Sequence, residues 1–100
     1  MAKDLVAASA VPLLLSILLE GESYGYAILR RVAELSEGQI AWTEGMLYPV
    51  LHRLEERGLV RTRWVASEIG PARKFYALNS QGRRHLAEAR RQWMLVSSTL

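Results

Sequence analysis

Residues 43–60, TEGMLYPVLHRLEERGLV, concentrate much of the chain's chemical range in one short segment. Tyr48, His52 and Arg53 bring a phenol, an imidazole and a guanidinium close together. Such groups donate to base edges and phosphate oxygens. Arg73 and Lys74 form a second cationic site further on. A catalytic reading has less to work with. The two histidines, His52 and His85, have no partner at metal-ligand spacing, and the chain has no cysteine to supply a thiolate or a disulfide. It has no nucleophile–base pair, no phosphate-cradling glycine loop and no cofactor motif. The expectation is a binding protein without metal or cofactor, not an enzyme.

The charge distribution agrees. The net charge is +3. Residues 1–50 carry three basic and six acidic side chains, whereas residues 51–100 carry ten basic and four acidic ones. That asymmetry points to a polyanionic partner for the second half. One hundred residues suit a single domain. A chain this short buries only about 60–65% of its unfolded surface, so a second subunit would add useful core. Half of the residues are hydrophobic, which argues against disorder. The apolar run from Val11 to Leu19 is too short to span a bilayer, and Lys3 is offset by Asp4 where a signal peptide would be basic. A cytoplasmic protein with no membrane partner is expected.

Four helices and a hairpin account for the pattern. The first helix is expected to begin near Ser9–Pro12, with proline at its first position, and to stop at Gly21. Its leucines lie nearly all round, so it should be buried on several sides. Ser23 is a candidate cap for a second helix, whose stripe is Ile28, Leu29, Val32 and Leu35, ending at Gly38. Thr43 caps the third helix, Glu44 suits its positive end, and Leu47, Val50, Leu51 and Leu54 form its core stripe. The period then shortens from about 3.6 to about 2. Residues 59–65 and 73–78 read as two strands joined by a Gly70-Pro71 turn. Trp42 and Trp64 are expected in the core. Asn79 or Ser80 caps a last helix, in which Leu86, Ala89, Trp93, Val96 and Leu100 make a seam at spacings of 3 and 4.

Helix, helix, helix, hairpin, helix is the order of a winged helix-turn-helix, a mainly α fold with a two-stranded wing. Residues 1–78 would form that domain and residues 79–100 a dimerisation helix. In such a domain the third helix enters the major groove, while the wing reaches the backbone or minor groove. With Leu47 at the centre of the buried face, Tyr48 falls about 100° away, His52 about 140°, Pro49 about 200° and Arg53 about 240°. The outward face is therefore mixed: aromatic, imidazole, apolar ring and guanidinium. Thr43, Glu44, Tyr48, Pro49, His52 and Arg53 are the expected contacts of the helix with DNA, and Arg73 and Lys74 those of the wing. Leu86, Ala89, Trp93, Val96 and Leu100 are the expected dimer seam.

Several stretches together resemble the PadR family of bacterial transcriptional regulators. They are Tyr24-Gly25-Tyr26, the run from Gly45 to Glu55 (GMLYPVLHRLE), and Arg73-Lys74-x-Tyr76-x-Leu78 followed by Gly82. The resemblance covers roughly residues 10–95. It implies a homodimeric winged-helix protein, usually a repressor, acting on a roughly palindromic duplex. It also implies the short branch of the family, whose last helix crosses to the partner subunit. Members often regulate genes for phenolic-acid detoxification or multidrug export, and some short ones stack flat hydrophobic drugs on aromatic side chains at the dimer interface, which implies a flat hydrophobic or phenolic effector. Trp93 is the position that would serve such an effector here, or it fills the dimer core. The wing tip, Gly70-Pro71-Ala72, lacks the extra basic residue many members carry before the Arg-Lys pair. The alternative to a DNA-binding regulator is a winged-helix module that acts through protein contacts.

Overall fold

The computed structural model describes the backbone of residues 3–100 and the side chains of residues 9–100. Its elements are α1 (Lys3–Leu19), β1 (Ser23–Tyr24), α2 (Gly25–Leu35), α3 (Glu44–Glu56), β2 (Val60–Val65), β3 (Arg73–Leu78) and α4 (Ser80–Thr99). The winged helix-turn-helix order expected from the sequence is the order observed. The hairpin gains a third strand: β1 pairs antiparallel with β3, giving a sheet ordered β1-β3-β2. Ser23, read as a helix cap, is a strand residue opposite Tyr76. The residue before α2 is Tyr24, which makes no side-chain cap bond.

The first helix starts earlier than expected, and Pro12 lies inside it. Proline removes one amide donor and crowds the preceding turn. The helix continues across it because Val11, Leu14, Leu15, Ile17 and Leu18 are all buried. Each such side chain contributes roughly 1.5–3 kcal/mol, enough together to offset one missing bond. These residues meet Ile28 and Val32 of α2, Leu47, Leu51 and Leu54 of α3, and Val60, Tyr76 and Leu78 from one face of the sheet. Trp42 packs on the edge of this cluster as expected.

The register Val60↔Leu78, Thr62↔Tyr76 and Trp64↔Lys74 fixes the hairpin's inner face. Its core-facing end is apolar and buried, and its far end is not. Trp64, expected in the core, is 68% exposed. The hairpin extends past the helices, so the alternation that buries Val60 has nothing left to bury four residues later.

Short devices join the elements. Gly58 takes the left-handed conformation (φ +69°) that turns α3 into β2. Asn79 caps α4, its Oδ1 accepting from the Gly82 amide at 2.8 Å while its Nδ2 donates to the Gly58 carbonyl at 2.8 Å. Gly82 sits where any Cβ would strike the Leu59 carbonyl and the Leu78 side chain. Beyond Leu86 the last helix leaves the body of the domain, and residues 90–100 are exposed throughout. The radius of gyration is 14.3 Å, against about 13 Å for a compact chain of this length.

Candidate nucleic-acid interface

Helix α3 sorts its side chains by periodicity. Leu47, Leu51 and Leu54 are fully buried, and Val50 packs beside them. Thr43, Glu44, Met46, Tyr48, Pro49, His52, Arg53, Glu56 and Arg57 are exposed. The six expected α3 contacts therefore all lie on the free side. Met46, which the sequence pattern assigns to neither face, shares that exposed side. Pro49 is accommodated within a continuous helix. Thr43 precedes the helix in extended conformation, and its hydroxyl makes no cap bond.

Tyr48 has two surroundings. It is 46% exposed, yet its hydroxyl lies against Gly25, where a Cβ would collide with it. The phenol thus bridges from α3 to the start of α2, which gives the Tyr24-Gly25-Tyr26 run a packing reason for its glycine. His52 Nε2 stands 3.1 Å from Glu56 Oε1 one turn on. Arg53, Arg57 and Arg61 are exposed and make no ion pair among the described residues.

The remaining cations of the hairpin are held. Arg63 donates through Nε and Nη2 to the Glu22 carboxylate at 2.7 and 2.6 Å, a bidentate pair across the sheet. Hydrogen bonding from Arg63 keeps the Glu22 carboxyl below its ordinary range. The Arg63 guanidinium also lies 5.6 Å from the Phe75 ring, and that of Arg73 lies 4.7 Å from the Tyr24 ring. Tyr24 and Phe75 are themselves in tilted contact at 5.1 Å. Cations and rings alternate along the outer face of the sheet, which orients Arg73 without neutralising it. Lys74 points to the other face, and its Nζ donates to Glu55 Oε1 at 2.8 Å. The hydrogen bond to Glu55 raises the Lys74 pKa.

On the seam of α4 the structure separates two groups. Leu86 is buried in the chain's own core, and Ala89 is half-buried. Trp93, Val96 and Leu100 are exposed, together with Met94 and Leu95. Trp93 lines a groove of about 720 Å³ with Pro12, Leu13, Ala89 and Val96 between α1 and α4. Among the described residues no helix is long and apolar enough to cross a membrane.

Fold and exposed helix define the class first: a winged helix-turn-helix protein with a free third helix and a protruding last one. The sequence model of the PadR-like transcriptional regulator family matches residues 14–88. The chain belongs to the PadR-like family of transcriptional regulators, a family of transcription factors and not of enzymes. The transcriptional regulator YqjI of Escherichia coli is 30% identical over 87 residues, which is 87% of this chain and 40% of that protein. A PadR family transcriptional regulator from Eggerthella lenta superimposes with a TM-score of 0.84 at 32% identity, covering 96% of this chain and 81% of the other. A PadR-like transcriptional regulator from Bacillus cereus gives 0.80 at 28% identity, over 97% and 92%.

Proposed function

We propose that this chain is a sequence-specific, homodimeric DNA-binding regulator, a repressor by its family's habit. Residues 1–78 would hold the DNA and residues 79–100 the partner copy. The observation that carries this reading is the free face of α3. A helix anchored by three fully buried leucines turns Pro49, His52 and Arg53 outward, and neither Arg53 nor Arg57 at its end is paired with a carboxylate among the described residues. Charge left unpaired beside hydrogen-bonding and apolar groups suits a duplex, where phosphate supplies affinity and base edges supply specificity.

Two copies joined through α4 present two such helices to successive major grooves, about one helical turn apart or a multiple of it. The exposed run Trp93–Val96 supports this assembly, since isolated apolar clusters of this kind mark interaction surfaces. The groove beside Trp93 is also where a flat hydrophobic or phenolic effector would lodge, stacked on the indole.

Selection of duplexes from random DNA by the purified protein tests the reading. The expected product is a roughly palindromic site. Arg53→Ala should weaken binding to it and lower the slope of log affinity against log salt by about one. Recovery of no preferred sequence would refute specific DNA binding and favour a module that works through protein contacts.

A further inference from the structure

Lys74 and Arg73 are neighbours in sequence but not in setting. Strand alternation sends Arg73 to the outer face of the hairpin and Lys74 to the inner face, towards α3. Lys74 is half-buried there. Its Nζ is 2.8 Å from Glu55 Oε1, 5.5 Å from the Tyr76 ring and 5.9 Å from the ring of Trp64, its cross-strand partner. Glu55 is itself half-buried, in the last turn of α3. Among the described residues this is the one side-chain hydrogen bond that joins α3 to the hairpin strands. Past Thr62 and Tyr76 the inner face of the hairpin continues to Trp64, which is 68% exposed, so the outer half of the wing needs another restraint to hold its angle to α3.

We infer that Lys74 is a positioning residue, a strut that sets the wing against the recognition helix through Glu55, and not a ligand of DNA phosphate. The assignment rests on the DNA-binding reading for its consequence, but the strut itself is a property of the free protein. For Lys74 to hold a phosphate, the ammonium would have to leave a carboxylate and two rings that already surround it. Arg73, oriented by Tyr24 and carrying no carboxylate, is the wing cation free to do so.

The two roles predict opposite signs for one substitution. If Lys74 binds phosphate, Glu55→Gln releases it and removes a negative charge near the duplex, so binding tightens. If Lys74 is a strut, Glu55→Gln loosens the wing and binding weakens despite the added positive charge. The test uses the whole chain and a duplex selected by the native protein. Glu55→Gln, Lys74→Gln and the double variant should each bind roughly three- to fivefold more weakly, the scale of a half-exposed ion pair. The double variant should be no worse than either single one, because both break the same bond. The salt slope should stay at the native value in all three. Hydrogen exchange at the amides of residues 61–76 in the free variants should be faster than native. Tighter or unchanged binding by Glu55→Gln overturns the strut, as does a slope lowered by about one in Lys74→Gln alone. If the native protein selects no duplex, the DNA reading fails and the exchange rates alone decide. Native-like protection in both single variants then overturns the strut.

Discussion

Helices α3 and α4 are both amphipathic, and they dispose of their apolar stripes in opposite ways. In α3 the stripe Leu47, Leu51, Leu54 is spent entirely inside the chain, and what remains outside is mostly charged, polar and aromatic, with Met46 and Pro49 as its apolar members. In α4 only Gly82 and Leu86 are buried, and the surplus outside is Trp93, Met94, Leu95, Val96 and Leu100. A helix that finishes its hydrophobic work internally leaves a face fit for a charged polymer. A helix that does not leaves a face fit for another protein surface. The substitutions below separate these two situations.

The largest effect should come from the finished stripe. Leu51→Ala opens a cavity in the core cluster to which α1, α2, α3, β2, β3 and α4 all contribute, and such deletions cost about 2–5 kcal/mol. That is a large part of the stability of a domain this size. Urea titration checks it. A loss below about 1 kcal/mol would mean that α3 is not anchored through this stripe.

Trp93→Asp attacks the unfinished one. The side chain is 68% exposed within one chain, so the fold of a single subunit should survive. Under the proposed dimer a charge at this position must be desolvated without a partner, and dissociation should strengthen by tenfold or more. Sedimentation at several concentrations checks it, with far-ultraviolet dichroism as the control for folding. A species that sediments as the native protein does would move the interface off this face of α4.

Gly25→Ala probes the place where the outward face of α3 is not independent of the body. The new methyl takes the space of the Tyr48 hydroxyl. That hydroxyl is the far end of a side chain that can swing outward, so stability should change by less than about 1 kcal/mol. Under the proposed DNA-binding reading, affinity for a selected duplex should fall by more than that change implies, because the displaced ring alters the exposed face of α3. Equal losses in stability and affinity would show that Tyr48 is packing alone.

These sites also mark how far the sequence could be read. The stripe of α3 and its outward residues were legible, since a helix anchored by Leu47, Leu51 and Leu54 has only one way to face. The cap at Asn79 was legible from its residue type and place. Three features were not. A two-residue strand at Ser23–Tyr24 has no period to detect; only its pairing with Phe75 and Tyr76 defines it. Trp64 alternates correctly, but its exposure depends on how far the hairpin overshoots the helices. The different fates of Arg73 and Lys74 follow from strand parity, and the partner of Lys74 lies on another element. Local patterns fix which way a side chain points; what it meets there is a tertiary fact.

The smallest effect lies on α4 itself, and it follows from the same contrast. With few tertiary contacts in its second half, α4 depends more on pairs along its own surface than α3 does. Glu88 accepts from Arg91 at 3.0 and 2.7 Å and from Gln92 at 3.0 Å. The Arg91 bonds, and then the Gln92 bond, lower its carboxyl pKa to about 2. The folded state therefore holds the ionised form better than the unfolded chain does. Its contribution is complete above the ordinary carboxylate value of 4.5 and is lost as pH falls from there towards about 2. All three side chains are exposed, so solvent screens the effect and salt reduces it further. Hydrogen exchange along residues 84–96 should quicken slightly on acidification through this window, and Glu88→Gln should remove that part of the pH dependence. An equal response in the Gln variant would assign it to other carboxylates and remove Glu88 from the pairs that support α4.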